Sequence, residues 1–236
     1  NYIFNASING IEEADLIFLI GTNPRYEATI LNARIRKSHL NNNTKILSLN
    51  DNGDLTYPYE SLDGNTQTLK NIFEGTNDLS KIISESKKPM IILGESFLRL
   101  NSAEFLYEKM LEFLKLNSKF TEDWNPINIL SCDAATVGNF DLGLINNENN
   151  LLNNLKSNKF DIVYLVGQDN LDFVKKDEFV IYQGSHGDKG AEIADIILPG
   201  SAYTEQDGYF ANLEGKIQKA FKASYPPGEA KEDWQI

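Results

Sequence analysis

The side chains of this chain that could do chemistry are few, and most sit just after apolar runs. Gly21-Thr22-Asn23 follows the run 14–20, ADLIFLI, and Gly167-Gln168-Asp169 follows the run 161–166, DIVYLV. A glycine and short polar residues at the carboxyl end of a buried strand can receive a phosphate, because loop and helix-start N–H groups are free there. Against that chemistry, the chain has no GxGxxG pattern, no Walker lysine and no paired basic residues beside either loop. Arg25 is the single cation adjoining the first loop, and Asp169 in the second would repel a phosphate. The loops are therefore either weak anion cradles or turns that only redirect the chain. His186 lies among Gly184, Gly187 and Gly190 and close to Asp188. A carboxylate-oriented histidine can act as a general base. With no nucleophile in view, His186 reads equally as a surface hydrogen-bonder. Cys132 is either a reactive thiol or metal ligand, or a buried cysteine at a strand end; the lack of a nearby histidine favours burial. Arg34, Arg36 and Lys37 form a basic cluster in an acidic chain, either a docking patch or the dipole-favoured last turn of a helix. Trp124 and Trp234 read as packing or interface residues.

The elements that must hold these residues follow an α/β rhythm. The run 14–20 is apolar apart from Asp15 and ends at Gly21, which fits a parallel strand buried on both faces. A non-helical, positive φ is expected at Gly21. Pro24 suits a helix start that Thr22 or Asn23 can cap, and Ala28, Leu31 and Ile35 continue a helix to about Lys37. Further strands are expected at 45–49, 89–93, 127–130 and 179–182, with helices at 65–73, 78–86 and 103–116 and a loop at 57–65. In 103–116, Phe105, Leu106, Met110, Phe113 and Leu114 share one face. Residues 146–158 are Asn-rich, although Leu151, Leu152 and Leu155 suit a helix face. FDIVYLVGQDN then repeats the pattern of ADLIFLIGTNP, giving two α/β halves, 1–145 and 146–236, in one compact unit. Ile196-Ile197-Leu198, stopped by Pro199-Gly200, reads as a buried strand. Gly208–Ala211 and Lys216-Ile217-Gln218 flank Asn212-Leu213-Glu214-Gly215 as a hairpin, with Gly215 at positive φ.

Composition narrows the function. The 236 residues are 41% hydrophobic and 24% charged, ordinary for a globular chain. A net charge of −12 argues against nucleic acid and anionic membrane surfaces as partners. No apolar run approaches the roughly 18 residues of a spanning helix. One cysteine and two histidines leave no disulfide framework, no iron–sulfur cluster and no structural zinc site to expect in this chain. The chain begins at Asn1, so a piece of a longer polypeptide is expected.

The stretch 183–220 also carries a resemblance. Its loop, then ADIILP at 194–199, then Glu205, Gly208, Asn212, Glu214 and Gly215 resemble the closing segment of the molybdopterin oxidoreductase fold. QGSHGDKGAEIADIILPGSAYTE and EGKIQKA are similar to the large iron–sulfur subunit of respiratory complex I, as are GIEEADLIFLIGTNPRYEATILNARIRKS at 10–38 and PPGEAKEDWQI at 226–236. The resemblance implies parallel Rossmann-like halves with a small C-terminal hairpin. It also implies a scaffold domain in the peripheral arm of NADH:ubiquinone oxidoreductase, without a catalytic residue or cofactor of its own. Gly21, Thr22, Asn23, Gly167 and Gln168 would be vestigial loops. Iron–sulfur clusters would lie in an N-terminal part of the subunit or a companion chain. Partners would be other peripheral-arm subunits, met through Arg34, Arg36, Lys37 and the aromatic pair Tyr209-Phe210. The place would be the matrix side of the mitochondrial inner membrane, or the cytoplasmic face of a bacterial one. A fragment of a catalytic molybdopterin oxidoreductase and a nucleotide-binding α/β module are the alternatives.

Overall fold

The structure, a computed structural model, describes residues 2–145, 151–171 and 173–236. Its residues group into two units, Asn1–Asp141 with Ala211–Lys216, and Leu142–Phe210 with Ile217–Ile236. The boundary expected at 145/146 adjoins residues 146–150, which lie outside the described residues.

The first unit begins with a short 3-10 turn, Asn9–Glu12, and then β1 (Leu16–Ile20), whose five residues are all buried. A four-residue helix α1 (Pro24–Glu27) and the longer α2 (Thr29–Asn42) lead to β2 (Lys45–Ser48) and the two-residue β3 (Glu60–Ser61). Then come α3 (Thr66–Phe73), α4 (Asp78–Glu85), β4 (Pro89–Gly94), α5 (Glu95–Leu98), α6 (Ala103–Leu116), β5 (Ile127–Leu130) and α7 (Thr136–Asp141). The sheet order is β3-β2-β1-β4-β5 and every pair is parallel. Alternation along each strand feeds two cores. Leu16, Phe18, Ile20, Ile91 and Leu93 meet α3, α4 and α6 on one face, through Leu69, Ile72, Ile83, Met110 and Leu114. Ile17, Leu19, Met90 and Ile92 meet Leu31 and Ile35 of α2, with Phe4, Ile11 and Trp124, on the other. This is a doubly wound sheet, and its direction of winding reverses between β1 and β4.

Four details depart from the sequence reading. The helix after Pro24 breaks at Ala28 (φ −152°, ψ 73°) and resumes as far as Asn42. It stops there because Asn43 takes the left-handed conformation (φ 55°) and returns its N–H to His39 O, a role asparagine tolerates. Arg34, Arg36 and Lys37 are thus mid-helix, and His39 occupies the last turn instead. The stretch 57–65 is not all loop, since β3 pairs with β2 there. Phe105 is exposed although it shares the sequence pattern of Leu106, because it lies at the margin of the α6 stripe.

The second unit contains α8 (Leu151–Lys156), β6 (Ile162–Val166), β7 (Phe179–Gly184), α9 (Lys189–Ile193) and β8 (Ile196–Pro199), with the sheet β6-β7-β8 parallel throughout. Neither β6 nor β8 is buried on both faces. In β6 only Val163 and Leu165 are covered, and β8 is exposed or half-buried along its length. Both are edge strands of a three-stranded sheet, which the continuous apolar runs did not disclose. The hairpin forms as expected, with β9 (Gly208–Ala211), β10 (Ile217–Ala220) and Gly215 at φ +75°.

Candidate functional site

The carboxyl edge of the first sheet, where the winding reverses, is the place to look for a ligand. Gly21 has φ +64°, and a Cβ there would lie 2.5 Å from Phe97 N. A Cβ on Gly94 would lie 2.2 Å from Gly21 O. The loops after β1 and β4 therefore touch backbone to backbone, which two glycines permit. Ser96 Oγ donates to Gly21 O, joining them further. Glu95 Oε1 accepts from Cys132 N at 2.8 Å and ties in the loop after β5.

The side-chain donors of the first loop, with Asn23 N and Arg25 N, are already used. Asn23 Oδ1 caps α1 by accepting from Arg25 N at 3.2 Å. Glu27, the fourth helical residue, folds back so that Oε2 accepts from Thr22 Oγ1 at 2.5 Å and Oε1 from Asn23 N at 3.0 Å. Its carboxylate thus occupies two donors that an incoming phosphate could otherwise use. Thr22 O accepts from Asn52 Nδ2 at 3.0 Å, and Asn23 Nδ2 donates to Asn52 O at 3.1 Å. Arg25 is committed to Asp54 at 2.7 Å. Sequence reasoning missed Glu27 and Asn52. The signal for Glu27 was its place four residues after the cap, one position beyond a capping box.

In the second unit Gly167 repeats the positive φ of Gly21, at +58°. Asp169 is structural there. Its Oδ1 accepts from Gly190 N at 3.0 Å, and its Oδ2 lies 2.8 Å from the Tyr182 hydroxyl. That hydroxyl also lies 2.6 Å from His186 O, so its one proton serves one acceptor at a time. Burial and the Asp169 carboxylate push the Tyr182 phenol up to about 12. Gly184, Gly187 and Gly190 are not positive-φ bends. Added Cβ atoms at Gly184 and Gly190 would lie 2.5 and 2.7 Å from Tyr182 side-chain atoms, so two of the glycines make room for this tyrosine. Gln168 Nε2 donates to Asn170 O at 2.8 Å.

The remaining candidates do not assemble into a catalytic group. His186 is exposed and meets Ser185 Oγ at 3.0 Å, and Asp188 makes no hydrogen bond to it among the described residues. Cys132 is exposed, not buried, because β5 ends at Leu130 and the cysteine lies two residues into the following loop. Partial burial and the carboxylates of Glu95, Glu27 and Asp133 push its thiol up, which disfavours the reactive thiolate. Among the described residues no cluster of His, Cys, Asp and Glu could hold a metal ion.

The surface candidates differ from one another. Arg34 and Lys37 both reach Glu12, at 2.8 and 2.7 Å, and hydrogen bonding to Lys37 leads the effects that hold the Glu12 carboxyl below its ordinary value. Arg36 is exposed and makes no ion pair among the described residues. Tyr209 and Phe210 are both exposed, and Lys219 Nζ stands 5.9 Å from the Tyr209 ring centroid. The hairpin tip is anchored by its backbone and Glu214, since Phe4 N donates to Leu213 O at 2.7 Å and Ile8 N to Glu214 Oε1. Trp124 is buried and donates to Pro89 O at 2.9 Å, whereas Trp234 is exposed.

Known proteins resemble the chain along its whole length. A family profile described as molybdopterin oxidoreductase matches residues 1–236. The chain is 41% identical to the NADH-ubiquinone oxidoreductase 78 kDa subunit, mitochondrial, of Candida albicans, over 100% of this chain and 32% of that protein. It is 42% identical to the NADH-ubiquinone oxidoreductase 75 kDa subunit of Reclinomonas americana, over 100% of this chain and 34% of that protein. It is 38% identical to NADH dehydrogenase [ubiquinone] iron-sulfur protein 1, mitochondrial, of Solanum tuberosum, over 100% of this chain and 31% of that protein. The chain spans about a third of the length of these relatives.

Proposed function

We propose a function from one premise: the chain belongs to the molybdopterin oxidoreductase family, matched over residues 1–236. Within that family it serves as a non-catalytic scaffold domain of the large iron–sulfur subunit of NADH:ubiquinone oxidoreductase. The relatives that support this reading are named as 75 and 78 kDa subunits of that enzyme and match this chain end to end.

The observation that carries the non-catalytic part is Glu27. The group implied by the family name is a molybdenum–pterin cofactor, whose nucleotide ends bring phosphates to the loops after parallel strands. The residues present do not fit it. Glu27 places a negative carboxylate on Thr22 Oγ1 and Asn23 N, and the one adjoining cation, Arg25, is held by Asp54. Gly21 and Gly94 close the gap between their loops. In the second unit Asp169 puts a further negative charge on the loop after β6. An anionic ligand would have to displace hydrogen-bonded carboxylates at each position, and beside the first loop Arg25 is already held by Asp54.

On this reading the chain binds no cofactor, and electrons pass through clusters held elsewhere in the subunit. Its contribution is to keep neighbouring parts of the peripheral arm in register, on the matrix side of the mitochondrial inner membrane. Among the described residues no helix is long and apolar enough to cross a membrane. Arg34, Arg36, Lys37, Tyr209 and Phe210 are its contact residues. Metal analysis of the purified subunit is expected to find iron but no molybdenum, and stoichiometric molybdenum bound to residues 1–236 overturns the proposal.

A further inference from the structure

The second unit leaves one face of its sheet bare. Val163, Leu165, Val180 and Tyr182 point to the other face and are buried. Leu155 of α8 covers them, with Leu171 and Phe173 from the β6–β7 connection and Ala191 and Ile193 from the β7–β8 connection. Both connections thus lie on the same face. Right-handed crossovers that advance in one direction across a sheet do this.

The register places Ile162, Tyr164 and Val166 of β6 beside Phe179, Ile181 and Gln183 of β7, and Ile196 and Leu198 of β8, on the opposite face. One end of that face is occupied, because Gln183 Nε2 donates to Asp233 O and Oδ1, both at 3.1 Å. Ile181 and Leu198 are half-buried, and the other five residues face solvent. Ile162 is 63% exposed, Tyr164 50%, Val166 59%, Phe179 43% and Ile196 45%. Parallel sheets are almost always covered on both faces, since their strands are apolar on both. The first unit obeys that rule in this same chain, with all five residues of β1 buried. β6 is also an open edge, and an apolar groove of about 490 Å³ runs along it, lined by Leu151, Phe160 and Leu171 among others.

We propose that an amphipathic helix of the same polypeptide, from outside residues 1–236, packs on this bare face. The topology selects a helix. A strand that follows β8 in the chain and pairs with the free edge of β6 would be reached by a right-handed crossover over the opposite face, which completes a doubly wound sheet. The length of the relatives supplies the polypeptide, because this chain accounts for about a third of each. The face is uncharged, so its occupant presents an apolar stripe at helical spacing, not an acidic or basic surface. The inference rests on the reading that this chain is part of that longer subunit.

The test uses the full-length subunit in a Cys132→Ser background. Tyr164→Cys and Ile196→Cys probe the bare face, and Val174→Cys, at an exposed position of the β6–β7 connection, is the reference. Maleimide labelling is timed in the separated subunit and in the assembled complex, with thermal melting checking each variant's fold. In the separated subunit both face positions should label at least about tenfold more slowly than position 174, since access then needs a local opening. Labelling as fast as position 174 in the separated subunit overturns the proposal. Protection that appears only on assembly assigns the face to another subunit and overturns it too. Entry of the tagged subunit into the complex is scored on native gels. A subunit that never assembles but shows protection would sink the functional reading and leave this inference standing.

Discussion

Single residues decide whether the strand ends are sites or fasteners. Gly21 is the clearest case, because the sequence pattern already suggested a non-helical, positive φ and the structure adds a contact. A valine there would combine left-handed strain with a clash against Phe97 N, so Gly21→Val should cost about 2 kcal/mol or more and lower the melting temperature by several degrees. An unchanged melting curve would mean that the strand–turn–helix at 16–27 is misread. Glu27 was hard to read, since its one sequence signal is its place four residues after the cap, and its fold-back onto Thr22 and Asn23 shows only in the fold. Glu27→Gln should lower thermal stability without creating affinity for guanosine diphosphate. Tight binding of that nucleotide by the variant or the native chain would show that the loop is a working cradle. Asp15 gives a pH signature. Burial pushes its carboxyl up, but donation from Ser86 Oγ and from the Lys87 and Lys88 N–H groups outweighs this and holds it below the ordinary value. A depressed folded-state value adds stability above the unfolded value of about 4, and that stability is lost as pH falls through the folded value. The native chain's melting advantage over Asp15→Asn should therefore shrink from pH 6 towards pH 2, and a constant difference would contradict the role given to Asp15.

Elements were readable where periodicity and punctuation agreed. β1, β4 and α6 are apolar at the correct period and bounded by glycine, proline or polar residues, and their bounds follow from that to within two residues. The helix after Pro24 was cut short because Arg34, Arg36 and Lys37 look like a closing turn. Its actual end depends on Asn43 at φ 55°, and a run of three asparagines does not say which one turns left-handed. Asn43→Gly should therefore be neutral or slightly stabilising, whereas Asn43→Val should cost about 1 kcal/mol, read by denaturant unfolding. Equal stability of the two variants would remove the left-handed cap from the account. β6 and β8 were over-read for a different reason. An apolar run reports what a strand could bury, while the number of its neighbours decides what it does bury, and only the fold shows that both are edges.

At the scale of the whole molecule, the proposed scaffold role makes activity a consequence of assembly. The surface candidates can be separated by their partners. Arg34 and Lys37 are tied to Glu12, so reversing Arg34 would disturb the fold locally as well as any interface. Arg36 has no ion pair among the described residues and stands exposed on α2, which makes Arg36→Glu the cleaner probe. Charged rims set encounter and register more than affinity, so this reversal should lower the amount of assembled complex while leaving the subunit's melting temperature unchanged. Paired truncation of Tyr209 and Phe210 to alanine should act more strongly, because exposed aromatics anchor interfaces, and the hairpin tip remains held through Leu213 and Glu214. His186→Ala should change neither assembly nor turnover, since among the described residues the exposed ring bonds only Ser185 and its structural bond is made by its carbonyl. Native-gel abundance and NADH:quinone turnover are measured together on all three variants. The scaffold role requires turnover per assembled complex to stay constant across the set. Normal assembly with turnover abolished by His186→Ala would put a catalytic group in the glycine-rich loop and reverse the assignment.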